Sequence, residues 1–315
     1  MKHLLAGLLL LAAAQGHAWP TKPIKIIVPF APGGTADTLG RLVAQKLGEQ
    51  LKASFVVENR AGAGGAIGSD LVAKAAPDGY TLVISGIASH VIAPMLPQGT
   101  PYDPARDFTH VALFGGPPAV LAVYAPLPAK DLPELIALAK SGHALSYGSP
   151  GNGTQGHLVA ELFKQRAGIN MQHIPYKGAS GALTDLIAGH IPVVSTTLTT
   201  AAPQIRAGRA RGLAVSAASR LAEFPDIPTY AELGYPDLVA TVWFSLSGPA
   251  SLPADIVERL NAEVNRALEL PDVRERLKPE GIVPSRMSAK EFSAFVAEEL
   301  KRWGPVVRAS GAKAD

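Results

Sequence analysis

The chain has 315 residues, no cysteine, and 29 basic against 26 acidic side chains, a formal net charge of +3. The two signs are interspersed, with no basic run and no aromatic–basic interleaving, which argues against nucleic acid as a partner; without thiols there is no disulfide, no thiolate chemistry and no lipidated cysteine. The length favours two domains rather than one, with enough core to sustain the fold unaided.

The chain opens "MKHLLAGLLLLAAAQGHAWP". Lys2 precedes an apolar run over residues 4–14, and Gly16 and Ala18 stand at −3 and −1 of a cleavage site. This is the pattern of a secretory signal peptide cut after Ala18, leaving Trp19 as the mature N-terminus, and residues 1–18 are set aside from fold reasoning. The apolar run is about half the ~20 residues a spanning helix needs, which weighs against a membrane anchor.

"IKIIVPF" reads as a buried strand, and "TADTLGRLVAQKLGEQL" as a helix with Leu39, Leu42, Val43 and Leu47 on one face. "SFVVEN", "AIGSDLVAKAA" and "TLVIS" continue as strand, helix and strand, with "PDGY" as a turn. This rhythm predicts a parallel sheet wrapped by helices. "THVALFGG" and "AVLAVYA" are two strands with no helix between them, where the chain passes into a second α/β unit. There the alternation resumes: helix "LPELIALAKSG", strand "ALSYGS", helix "QGHLVAELFKQRAG", strand "MQHIPY", helix "ASGALTDLIAGH", strands "IPVVST" and "RGLAVSA". "TVWFSLSGP" leads back, and the remainder is helical. The expected organisation is lobe 1 from 19–122 plus 243–315 and lobe 2 from 123–242, joined by two chain crossings that form a hinge over a cleft. In open α/β sheets ligands lie beyond the carboxyl ends of the strands.

Two glycine-rich turns occupy that position, "PFAPGGTAD" and "GSPGNGTQGH". The second contains G-x-G-x-x-G over 151–156, but the next strand ends "PYK", without the acid that would hold a ribose; "GAGGAIG" fails likewise, because its next strand ends "ISG". No G-K-[ST] occurs, so no nucleotide cofactor is expected. Glycine there lets the backbone approach a ligand closely. The first N–H groups of a helix lack internal partners and sit at its positive end, where a carboxylate binds as readily as a phosphate. About four hydrogen bonds at roughly 1.5–3 kcal/mol each gross on the order of 6–12 kcal/mol, against about 8 kcal/mol for micromolar binding before association costs. Asp37 either complements the helix dipole or faces the cleft, with Arg41 four residues on as its partner. Lys177 either reaches an anion or lies on the surface. His157 beside Ser149 and Thr154 offers a serine–histidine dyad, but there is no G-x-S-x-G elbow, and His143, His173 and His190 lack metal-ligand spacing.

Taken in order, "PFAPGGTAD" with Arg41, "VVENRAGAGGAIG", "PDGYTL", "YDPARDFTHVA", "YGSPGNGTQGHL", "HIPYKGASGALTDLIAG", "IRAGRARGLAVSAASR" and "FPDIPTYAELGYP" make the chain resemble the solute receptors of tripartite tricarboxylate transporters, the TctC-like or Bug family. The resemblance implies a two-lobed, type II-like periplasmic binding protein that works as a single chain, closes on a small organic carboxylate and delivers it to membrane transporter subunits. It implies that backbone groups and bridging waters hold the carboxylate. The corresponding residues are Phe30, Ala31, Gly34, Thr35 and Asp37 in the first loop; Ser149, Gly151, Asn152, Gly153, Thr154 and His157 in the second; and Ser85 and Tyr176 at strand ends. Where the family usually carries an aspartate, this chain has Thr196 and Thr197, whose hydroxyls suit a neutral or hydroxylated ligand tail better than an ammonium group. The alternatives are a periplasmic sensor presenting its closed form to a signalling partner, and a secreted hydrolase using His157.

Overall fold

The computed structural model describes residues 19–278, 282, 284–310, 312 and 313; the expected signal peptide, residues 1–18, lies outside them. The first sheet begins with β1 (Ile24–Val28), β2 (Phe55–Asn59), β3 (Thr81–Gly86) and β4 (Phe108–Gly115). The second is built from β5 (Ala119–Tyr124), β6 (Ser146–Ser149), β7 (Gln172–Pro175), β8 (Val193–Thr197) and β9 (Ala210–Val215), and β10 (Phe244–Pro249) returns to the first. The strand orders are β2-β1-β3-β10-β4 and β7-β6-β8-β5-β9.

The sheets are mixed, not purely parallel as the strand–helix rhythm predicts. β1 runs parallel to β2 and β3, and β6 to β7 and β8, but β10 is antiparallel to β3 and β4, and β5 to β8 and β9. Connectivity is the reason. β5 and β10 are the strands that enter a sheet directly from the other one, so they start at the cleft where the parallel strands end. Because β5 pairs in the second sheet, the chain crosses over 116–118, a few residues ahead of the expected 122/123 boundary. The return crossing runs beside it: the Val242 N–H donates to the Pro117 carbonyl at 2.9 Å, and Pro118 bridges Thr241.

Helix α1 (Thr35–Leu51) buries Leu39, Leu42, Val43 and Leu47 on the predicted face and ends at Lys52 in the left-handed region. α2 (Ala66–Ala73) follows β2, and a π-helical turn over Ala88–Ile92 runs into the short α3 (Ala93–Met95) after β3. In the second lobe, α4 (Leu132–Lys140) is capped by Asp131, whose carboxylate accepts the Glu134 N–H at 2.8 Å. α5 (Gln155–Ala167) starts at Thr154 and stops at Gly168, whose φ of 61° closes the helix without a Cβ penalty. α6 (Ala179–Ile187) and α7 (Leu198–Arg206) follow β7 and β8. The chain ends in α8 (Ala254–Glu269), α9 (Pro271–Leu277) and α10 (Ala289–Ser310), and α8 and α10 pack on β4 of the first lobe. No described helix is long and apolar enough to cross a membrane.

Candidate functional site

Every parallel strand of the fold ends at the cleft, and each turn that follows it starts a helix. A cavity of about 50 Å³ lies where several of these helix starts meet. Gly34, Thr35 and Ala36 bring in the start of α1, Thr154, Gln155 and Gly156 that of α5, Gly178 and Ala179 that of α6, and Thr197 that of α7. Phe30, Ala31, Gly86, Ile87, Ala88, Pro150 and the returning segment Val242, Trp243 and Phe244 complete the wall. Among these lining residues there is no charged side chain. The electrostatic character of the cavity therefore comes from backbone dipoles, whose positive ends converge on it. A larger chamber of about 520 Å³ shares Phe30 and Pro150 with it and adds the 61–65 glycine turn, Ile67, Tyr176 and Lys177.

The lobes touch across the cleft. Thr35 Oγ1 lies 2.6 Å from Thr197 Oγ1 and 3.1 Å from Thr200 Oγ1, and the two threonines of α7's start are themselves 3.0 Å apart. Ser180 Oγ donates to the Pro32 carbonyl at 3.2 Å, and the Ala31 N–H reaches the Lys177 carbonyl at 3.4 Å. Gly178 is needed where it stands: a Cβ there would lie 3.1 Å from the Ala31 side chain, and its φ of 158° puts the residue in the range that favours glycine.

Of the residues expected at the site, Phe30, Ala31, Gly34, Thr35, Thr154 and Thr197 line the cavity. Asp37 does not. It is buried beneath the first loop, where its carboxylate accepts the Gly33 N–H at 3.1 Å, Asn59 Nδ2 at 2.9 Å and Arg41 Nε at 3.1 Å. Burial pushes its pKa up, but the bonds from Arg41, Asn59 and Gly33 outweigh this and hold it below the ordinary aspartate value. Asn59 Nδ2 also donates to the Phe30 carbonyl at 3.0 Å, so the cluster fixes the turn rather than touching the cavity. Ser85 is sealed inside the first sheet, 2.7 Å from both Ser245 Oγ and Ser247 Oγ, and the next residue, Gly86, reaches the wall in its place.

Ser149, Gly151, Asn152, Gly153 and His157 build the second loop from behind. Ser149 Oγ pairs with His173 Nε2 at 2.6 Å and donates to the Gly151 carbonyl at 3.1 Å. His157 Nδ1 accepts the Gly153 N–H at 3.1 Å, and its ring stacks on His173 with centroids 3.8 Å apart. Burial, with the Lys164 charge nearby, pushes His157 down to about 4, and burial with the neighbouring His157 takes His173 to about 3. Both imidazoles are thus neutral braces for the loop, and Ser149 pairs with His173 instead of His157. The Asn152 carbonyl approaches Gly64 of the opposite lobe, where a Cβ would come within 2.8 Å. Tyr176 donates to Asp185 at 2.6 Å and faces the larger chamber, as does Lys177. Thr196 is buried with its hydroxyl unpartnered and is not among the lining residues; strand alternation turns it away from the cleft that Thr197 reaches.

Sequence reasoning missed Gly86, Gln155, Gly156, Gly178, Ala179 and the 242–244 segment. "PYKGASGA" carried the signal for Gly178 and Ala179, since it is a third glycine turn between a strand and a helix. Nothing local marks 242–244 as wall, because its place depends on the return crossing.

The profile of the tripartite tricarboxylate transporter family receptor matches residues 39–312. The chain is 37% identical to protein BugT of Bordetella pertussis over 304 residues, covering 96% of this chain and 93% of BugT. It superposes on Rpa4515 of R. palustris, solved with adipate, with a TM-score of 0.90 and 34% identity, covering 94% of this chain and 99% of that one. It also superposes on MatC of Rhodopseudomonas palustris, solved with bound malate, at 0.87 and 32% identity, covering 92% and 100%. With helix starts converging on a cavity without charged side chains and this likeness over nearly its whole length, the chain belongs to the tripartite tricarboxylate transporter receptor family.

Proposed function

We propose that this protein is the exported receptor of a tripartite tricarboxylate-type uptake system. It captures a small organic carboxylate between its lobes in the periplasm, after removal of residues 1–18, and presents the closed form to membrane subunits. It acts as a single chain, without catalysis. The carboxylate is held by backbone N–H groups and bridging waters at the starts of α1, α5 and α6. Asp37, His157 and Ser149 shape the first two of those turns from behind, and the crossings at 116–118 and 241–243 act as the hinge. Closure follows because the ligand meets both lobes only in the shut state.

One observation carries the reading: the cavity between the lobes is walled by helix starts and holds no charged side chain. A site for a cation would need acidic ligands, and none lines the cavity. The bound acids of Rpa4515 and MatC support it. Thermal unfolding across a panel of mono- and dicarboxylates, amines and sugars tests it. Carboxylates are expected to raise the Tm in a concentration-dependent way. Stabilisation by amines or sugars alone would refute the assignment.

A further inference from the structure

Trp243 lines the cavity, and its carbonyl accepts the N–H of Ile87, another wall residue, at 3.3 Å. Its indole is directed at α10. Nε1 donates to Glu299 Oε2 at 2.9 Å, and the ring meets Phe292 and Phe295 edge-on, with centroids 6.0 and 5.5 Å away. The same oxygen of Glu299 accepts Trp303 Nε1 at 3.1 Å, and Glu299 Oε1 accepts Arg302 Nη1 at 3.4 Å. Glu299 is buried, so one carboxylate gathers two indoles and a guanidinium inside the protein.

Arg302 reaches further, for its Nη2 donates to the Val239 carbonyl at 2.9 Å. Val239 and Trp243 stand on opposite sides of the return crossing. Val239 precedes Ala240, whose N–H donates to the Ser216 carbonyl just past β9, whereas Trp243 leads directly into β10. Helix α10 itself packs on β4 and the π-helical turn of the first lobe and on α5 of the second. One turn of a single helix thus grips the crossing at both ends. Burying a carboxylate is expensive, and an apolar residue would pack there without that cost. What the carboxylate adds is direction. Two N–H donors converge on one oxygen, so Trp243 cannot slide along α10 without losing a bond.

We propose that Glu299 is a positioning residue for ligand capture. With Arg302 it splints the crossing from Val239 to Trp243, fixes the pivot about which the lobes close, and holds Trp243 and Ile87 in place as wall. The proposal rests on the receptor reading above and adds the part that the C-terminal helix plays in it. A loosened pivot lets the unliganded lobes sample more orientations, and capture then has to remove that freedom.

Two measurements on the mature chain test this: calorimetric titration with a carboxylate that binds, and hydrogen exchange of the unliganded protein over residues 239–243. Glu299→Gln keeps an acceptor for the indoles but loses the charge that orients Arg302. Arg302→Met removes the grip on Val239 from a side chain that is over half exposed, so its unliganded Tm should stay close to that of the unaltered protein. Each variant is expected to raise the dissociation constant about twofold to tenfold, the worth of one hydrogen bond. In each, the Ala240 and Val242 amides, which donate to the Ser216 and Pro117 carbonyls, should exchange faster. Lys301→Met, whose side chain bonds only to Glu298, is the control and should change neither quantity. Unchanged or tighter binding in Glu299→Gln and Arg302→Met overturns the proposal, and so does unaltered exchange at 239–243 or an equal effect from Lys301→Met. In those cases an acid that binds the unaltered protein leaves the receptor reading standing. If no acid binds, the receptor reading falls and this proposal with it.

Discussion

Thr35 and Thr197, 162 residues apart in sequence, meet hydroxyl to hydroxyl at 2.6 Å and so join the start of α1 in one lobe to that of α7 in the other. This contact exists only while the lobes are together. It therefore adds to the free energy of the closed state and not to that of either lobe alone. Thr35→Val keeps the shape and removes the hydroxyl. A net loss of about 0.5–1.5 kcal/mol for each of its hydrogen bonds, to Thr197 and to Thr200, predicts a dissociation constant roughly fivefold to a hundredfold higher. Calorimetry should show this weakening while the unliganded Tm stays close to that of the unaltered protein. A Tm drop without change in affinity would place the contact's value in folding instead.

The hinge predicts a different pattern. Gly116 stands where the two crossing segments press together: an added Cβ would lie against the Val242 carbonyl oxygen, 2.7 Å from its carbon and 2.8 Å from Trp243 Cα. These are backbone atoms and have no rotamer with which to give way. Gly116→Ala should cost about 1–3 kcal/mol of stability. It should also disturb Val242 and Trp243, which line the cavity, so Tm and affinity are expected to fall together.

Asp37 links stability to acid pH. Its carboxylate collects bonds from Gly33, Asn59 and Arg41, and its pKa in the folded protein lies below the ordinary value. Such a group contributes stability that is present above the unfolded pKa, about 3.9, and is lost as pH falls through the lower folded value. Asp37→Asn should therefore lower stability by about 1–2 kcal/mol at neutral pH, with the gap from the unaltered protein narrowing below roughly pH 4. Denaturant titrations at pH 7 and pH 3 would read the difference.

His90 predicts an earlier loss. It is completely buried beside Phe108 and Tyr102, with Nδ1 on Ser89 at 3.0 Å and Nε2 unpartnered. Burial, reinforced by His110 nearby, drives its pKa well below the usual value. The unfolded chain then binds a proton that the folded chain refuses. Stability is full above about pH 6.5 and falls on acidification by up to about 1.4 kcal/mol per pH unit from this residue. His90→Phe removes one such proton and should make the profile shallower between about pH 6.5 and pH 4.5 by up to about 1.4 kcal/mol per pH unit, leaving the slope that His157 and His173 carry. An unchanged slope would show that other groups carry the acid sensitivity.

Local pattern was enough for most of the elements. Leu39, Leu42, Val43 and Leu47 at helical spacing announce α1 and its buried face, and Gly168 announces where α5 stops. Helix α7 has no counterpart in the sequence reading, which passes from "IPVVST" to "RGLAVSA"; its N-terminal N–H, from Leu198, is satisfied by the Pro118 carbonyl on the crossing, a partner no local window contains. The same blindness separates Asp37 from the cavity. Its residue type and place in a glycine turn suit a ligand contact, but Asn59, from the end of the neighbouring strand β2, claims the carboxylate first.

The sequence by itself determined that strands alternate with helices, that glycine turns stand at the strand ends, and that the chain resembles a carboxylate receptor, because these depend on residue spacing along the chain. Only the tertiary structure decided which strands are antiparallel, which helix starts meet at one point, and which polar side chains keep an unspent hydrogen bond. The physical reason is that backbone dipoles and buried polar groups gain their meaning from what is packed against them, and for Thr35 that is Thr197, 162 residues away in the chain.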